Sequence, residues 1–152
     1  MPTTEEPTWE INGEAEEMVS KIVELNPEKF GHVDPEQIGA AMIVGKDPPD
    51  SQDWDAKLAG IKQPELIFSK KTYVIKFFKA TWEKYDKKQR SAMLFKMLSR
   101  IPEDFDGTVL KEDLHDCRIL VRKFGLDYMA SPSLPDLTEQ KIAIETDQKD
   151  PE

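Results

Sequence analysis

The sequence predicts a single α+β domain in which a small sheet packs against a buried helix and two further helices. Three stretches carry that prediction: apolar residues at helical spacing between Asn12 and Leu25, β-prone runs between Leu66 and Phe78, and an apolar segment from Lys87 to Ile101 that is too long for a strand. A chain of 152 residues holds one such core and is short for two.

Residues 1–8 contain two prolines and two glutamates without periodicity, and read as a solvated acidic tail. The domain is expected over residues 9–130. In its first helix Ala15, Met18, Val19, Ile22 and Val23 share one face, and Pro27 follows the helix end. The run AAMIVGK suits a buried strand, and KDPPDSQDWD after it is a turn-rich connection. Around Pro64 the chain is expected to become extended, with β-prone runs at Leu66 to Phe68 and Tyr73 to Phe78, separated by Ser69, Lys70 and Lys71, that form one or two strands.

From about Asp86, KKQRSAMLFKMLSRI reads as a helix buried on most sides, filled by Ala92, Met93, Phe95, Leu98 and Ile101 and stopped by Pro102. A loop turning at Asp106 and Gly107 leads to another helix, capped by Asp113 and closed by Gly125. Leu114, Cys117, Leu120, Val121 and Phe124 point inward from it. Residues 131–152, with three prolines and the acidic end TDQKDPE, read as a second tail in which LTEQKIAIE is the one stretch suited to dock.

Composition narrows the function classes. No run approaches the ~18 apolar residues of a membrane span, and the N-terminus is acidic where a secretory signal is basic and then apolar, so the expected location is cytoplasmic, with no membrane partner. The net charge of −9 is uneven: residues 70–100 hold ten basic side chains against two acidic ones, while the remainder carries a balance of −17. Such a dipolar surface orients charged partners. Lys70, Lys71, Lys76, Lys79, Lys84, Lys87 and Lys88, together with Trp54, are therefore the candidate partner-binding residues. Tyr73, Phe77, Phe78, Trp82 and Tyr85 lie among these lysines, which gives two readings: a nucleic-acid surface, or a strand with aromatics inside and lysines on its wet face. Trp9, beside a tail, is a further candidate anchor.

Catalytic constellations are scarce. Cys117 is the single cysteine and reads as a small core residue; His32 and His115 are the only imidazoles. His115, Asp116 and Cys117 are consecutive on a helix and point in different directions, so they do not converge on an ion. There is no Gly-x-Ser-x-Gly elbow, and the seven glycines form no phosphate-binding loop.

One ordered series is more specific. Trp82 ends the extended segment, Gln89 and Arg90 open the buried helix, Pro102 with Asp106 and Gly107 forms the loop, and Asp113, Phe124, Gly125 and Leu126 mark the next helix. Over roughly residues 66–129 this series resembles the metallopeptidase domain of phages and prophages. The resemblance implies a zincin-like fold and a His-Glu-x-x-His motif on the buried helix, where two histidines four residues apart hold Zn²⁺ and the glutamate acts on the bound water. At the corresponding positions this chain has Lys96, Met97 and Arg100, and Glu112 stands where a third histidine would open the next helix. Two cations repel a dication and a thioether accepts no proton, so the resemblance implies a pseudoenzyme without metal or other cofactor. Glu112 is expected to pair with Lys96 or Arg100 in place of the metal link. The expected function is binding to a host or viral protein, with nucleic-acid association through residues 70–100 as the alternative.

Overall fold

The computed structural model describes residues 8–48, 56–110, 118–124 and 128–141. A four-stranded sheet in the order β1-β2-β4-β3 is formed by β1 (Thr8–Ile11), β2 (Ile38–Val44), β3 (Lys57–Gly60) and β4 (Tyr73–Phe78). β1 is antiparallel to β2, β2 is parallel to β4, and β3 closes the other edge antiparallel to β4. The helices are α1 (Gly13–Leu25), α2 (Pro27–Phe30), α3 (Glu65–Ser69), α4 (Lys79–Lys84), α5 (Lys87–Leu98) and α6 (Arg118–Phe124). This is the α+β class that the sequence predicts.

α1 follows from its sequence. The Asn12 side chain accepts from the Ala15 amide at 2.9 Å, which caps the helix, and Glu14 and Glu16 lie in the first turn, where the helix dipole favours negative charge. The five apolar residues of its expected face are all buried. β4 alternates as a sheet strand with one covered face should: Tyr73, Ile75 and Phe77 enter the core, while Val74 and Lys76 are half-exposed on the opposite side. α5 lies in the middle of the core, with Ser91 through Phe95, Met97 and Leu98 buried.

One expectation changes. The apolar run Leu66 to Phe68 is helical, not extended, because the partner of β4 on that edge is β3, whose register pairs Lys57 with Lys76 and Gly60 with Tyr73. Residues 61–72 are thereby left as the excursion between two antiparallel neighbours. β3 itself falls next to the stretch read as a turn-rich connection. Past residue 130 Leu134, Leu137 and Thr138 are buried, the last two opening the stretch suited to dock, and the Leu137 amide donates to the Ser91 hydroxyl at 2.9 Å. The short apolar spacing of Leu134 and Leu137 is enough to fasten this strap across α5.

The 102–110 loop is fixed to the sheet by close backbone approach. Tyr73 donates its hydroxyl to Thr108 O at 2.7 Å and accepts from the Gly107 amide at 3.0 Å. A Cβ on Gly60 would lie 1.8 Å from Gly107 O, so only glycine permits this contact. Gly107 has φ +91°, which also favours glycine. Burial pushes the Tyr73 hydroxyl above its ordinary pKa.

Candidate functional site

α5 presents the positions to which the resemblance assigns the metal chemistry. Its start is defined by a reciprocal capping box: Asp86 accepts from the Gln89 amide at 2.9 Å, and the Gln89 side chain accepts from the Asp86 amide at 3.0 Å. Gln89 also donates to Met129 O at 2.8 Å. Arg90 donates from Nε to Trp82 O at 2.8 Å and places its guanidinium 4.7 Å from the Trp82 ring centroid. Trp82 stacks in turn on Phe77 at 4.9 Å. The Trp82, Gln89 and Arg90 set is therefore the brace that holds the helix to β4 and to the C-terminal strap.

The C-terminal half of the helix is different in character. The regular α-helix ends at Leu98, one turn earlier than the apolar pattern implies. The Arg100 amide bonds Met97 O at 3.1 Å and the Ile101 amide bonds Leu98 O at 3.2 Å, so the chain tightens into a 3₁₀ turn. Met97 is 1% exposed and belongs to the core, whereas Lys96 and Arg100 are half-exposed. Arg100 Nε donates to Leu110 O at 2.9 Å while the Leu110 amide donates to Arg100 O at 2.8 Å, a bracket that ties the helix end to the far end of the loop. His32 Nε2 bonds Ile101 O at 3.0 Å, an interaction that requires the ring hydrogen on Nε2.

An ammonium and a guanidinium have no lone pair to give a dication, and the Met97 thioether is enclosed by the core. The side chains of this helix segment do not form a donor set for zinc. Among the described residues, no three His, Cys, Asp or Glu side chains come together as metal ligands. Glu112, Asp113, His115, Asp116 and Cys117, and with them the expected ion pair of Glu112, lie outside the described residues, as does Trp54.

The candidate lysines are spread along β4 and beyond both of its ends. Lys70 and Lys71 precede β4, whereas Lys79, Lys84, Lys87 and Lys88 follow it, and a six-residue strand separates the groups by roughly 20 Å. Lys71 Nζ donates to Glu36 O at 2.8 Å. Lys76 lies 6.0 Å from the Trp9 ring on the outer face of the sheet. Lys79 pairs with Glu83 at 3.9 Å, and Lys84 lies 5.9 Å from the Tyr85 ring. Lys87 pairs with both Asp136 and Glu139 at 3.3 Å, which raises its pKa, the Glu139 contact contributing most. Lys88 is exposed. Acidic residues from distant parts of the chain thus neutralise part of the basic run: Arg90, for example, reaches Glu14 at 3.5 Å.

The interleaved aromatics are not stacking platforms. Tyr73, Phe77, Phe78 and Trp82 are buried and Tyr85 is half-buried. An open groove of about 360 Å³ at the ends of β2 and β4 is lined by Lys46, Asp47, Lys79 and Glu83, whose charges balance. The exposed apolar side chains of α3, Ile67 and Phe68, were hidden from the sequence reading because a three-residue apolar run looks like a strand. The signal against a strand is their position directly after Pro64-Glu65, a helix-opening pair.

Comparison with known proteins adds a family. A search of curated proteins gives no match, and a search of solved structures gives none either. The family described as "putative phage metallopeptidase" matches residues 7–139, a span that takes in the whole sheet, α5 with its brace, and most of the C-terminal strap. The chain belongs to this phage metallopeptidase family.

Proposed function

We propose that this chain is a non-catalytic member of its family, a protein-binding factor that acts on host or viral machinery in the host-cell cytoplasm. One observation carries the reading: at the helix end where the family resemblance places ligands and general base, Met97 is packed in the core and Arg100 brackets Leu110. Those side chains are committed to holding the scaffold. Their charges also suit that role, because cations near a helix C-terminus are favoured by the dipole. A protein partner fits better than nucleic acid because the basic residues lie in separated groups, several with acidic neighbours, and the aromatics among them are inside.

The test has two arms on the full chain. Purified protein incubated with Zn²⁺ and freed of excess is expected to retain no stoichiometric zinc and to cleave no peptide in a mixed peptide library; zinc at one equivalent, or zinc-dependent cleavage, would sink the non-catalytic reading. Tagged protein recovered from host cells with nuclease treatment is expected to carry a protein at defined stoichiometry. Loss of everything bound after nuclease would transfer the function to nucleic acid.

A further inference from the structure

The excursion between β3 and β4 carries two large apolar side chains into solvent. Ile67 is 64% exposed and Phe68 83% exposed, the highest value among the exposed large apolar residues. This is not a loose loop. Its base is closed by the Ile61 amide on Thr72 O at 2.8 Å, and α3 is held by the Leu66 amide on Lys62 O, the Ile67 amide on Pro64 O and the Lys70 amide on Leu66 O, at 2.9 to 3.1 Å. Lys70 ends the helix in the left-handed region at φ 58°, a conformation that a lysine adopts at some cost. Ser69 and Lys71 then bond each other, and Lys71 is fastened to Glu36 O.

Displaying two apolar side chains on a braced projection is costly in water and removes most of the ordering penalty that binding would otherwise incur. The surroundings indicate what kind of surface fits. Lys62 and Lys70 are exposed on either side, with Lys71 behind them, against Glu65 alone, so residues 62–71 carry a local balance of +2 within a chain of net charge −9.

We propose that α3 is a docking tip whose Ile67 and Phe68 enter an apolar cleft with an acidic rim on a partner protein. The proposal rests on the protein-binding reading above and deepens it by naming the surface. A central apolar pair with a charged rim is the arrangement in which a few side chains carry most of an interface's affinity.

The experiment uses the full chain in host cells. A photoreactive benzoylphenylalanine is placed at Phe68, and at Glu103, which is also exposed, as a control; in parallel, nuclease-treated purifications compare wild type, Ile67→Ser/Phe68→Ser and Lys62→Glu/Lys70→Glu. Urea unfolding of each variant checks that the fold is unchanged. The expected result is a discrete protein adduct from position 68 and none from 103, with recovery of the partner lowered on the order of tenfold or more by either double variant. Equal recovery by wild type and by both folded variants overturns the docking tip and leaves the protein-binding reading standing. An adduct only to lipid or nucleic acid also overturns the tip, and a wild-type chain that retains no protein at all overturns both.

Discussion

At its N-terminal end α5 is gripped by carboxylates from α1 and from the C-terminal strap as well as by the carbonyls of Trp82 and Met129, whereas its C-terminal end is bonded to the carbonyl of Leu110 and, through Ile101 O, to His32. Lys87 and Lys88 stand in a first turn that has no acidic residue, against the preference of the helix dipole, and Asp136 and Glu139 from the strap supply the missing negative charge. At the other end Lys96 and Arg100 are cations where the dipole welcomes them, and the Arg100–Leu110 bracket and the His32–Ile101 bond attach the helix end to backbone carbonyls. The difference teaches that the end to which the resemblance assigns the family's chemistry is built into the scaffold: Met97 is buried in the core and Arg100 attaches the 102–110 loop.

Substitutions at the two ends break or sharpen that comparison. Met97→Glu, which puts a carboxylate where the resemblance implies one, places a charge at a site 1% exposed and is expected to cost about 4 kcal/mol in urea unfolding. A loss below about 1 kcal/mol would mean that the side chain reaches water, and the scaffold role of this end would fall. At the other end Leu137→Ala removes a fully buried strap residue and should cost about 3 kcal/mol by the same measurement. Asp86→Ala removes the capping box and is expected to cost about 1 kcal/mol, with fraying visible as faster amide exchange in the first turn.

Smaller effects separate the electrostatic from the backbone grip. Arg100→Ala should cost about 0.7 kcal/mol and speed amide exchange at Leu110, because half of the bracket is lost. Asp136 gives the smallest expected change. Burial opposes its ionisation, but hydrogen bonds from the Thr138 hydroxyl and amide, joined by Lys87, outweigh that and hold its carboxyl below the ordinary value. A carboxyl lowered on folding contributes stability above its unfolded pKa and loses it as pH falls through the folded value, so this contribution fades below about pH 4. Asp136→Asn is expected to cost about 0.5 kcal/mol at pH 7 and to flatten the acid limb of the stability curve; an unchanged limb would show that the strap is held by Leu137 alone.

The parts of this fold governed by local periodicity were legible in the sequence. Ala15, Met18, Val19, Ile22 and Val23 fix the buried face of α1 by themselves, and the alternation of Tyr73, Ile75 and Phe77 fixes the orientation of β4. What failed to show depends on partners far away in the chain. Lys57 to Gly60 become a strand because β4 offers an edge and Gly60 permits the close approach of Gly107, and Leu66 to Phe68 become helical because that edge is already taken. Leu137 is buried only because Ser91 awaits its amide 46 residues earlier. The candidate site divides in the same way: residue types at 96, 97 and 100 can be read directly, whereas the wide spacing of the lysines and the exposure of Phe68 emerge only from the assembled sheet.

The strap has a consequence for how the protein is made. Residues 128–141 cover a helix synthesised some forty residues before them, so the Ser91 face of α5 is covered only after these residues have emerged from the ribosome. Until then a row of apolar side chains is open to chaperones and to aggregation. Premature termination anywhere upstream of Leu137 thus yields a product that lacks this buried core residue, and cellular quality control has a clear basis for separating such molecules from those that carry it.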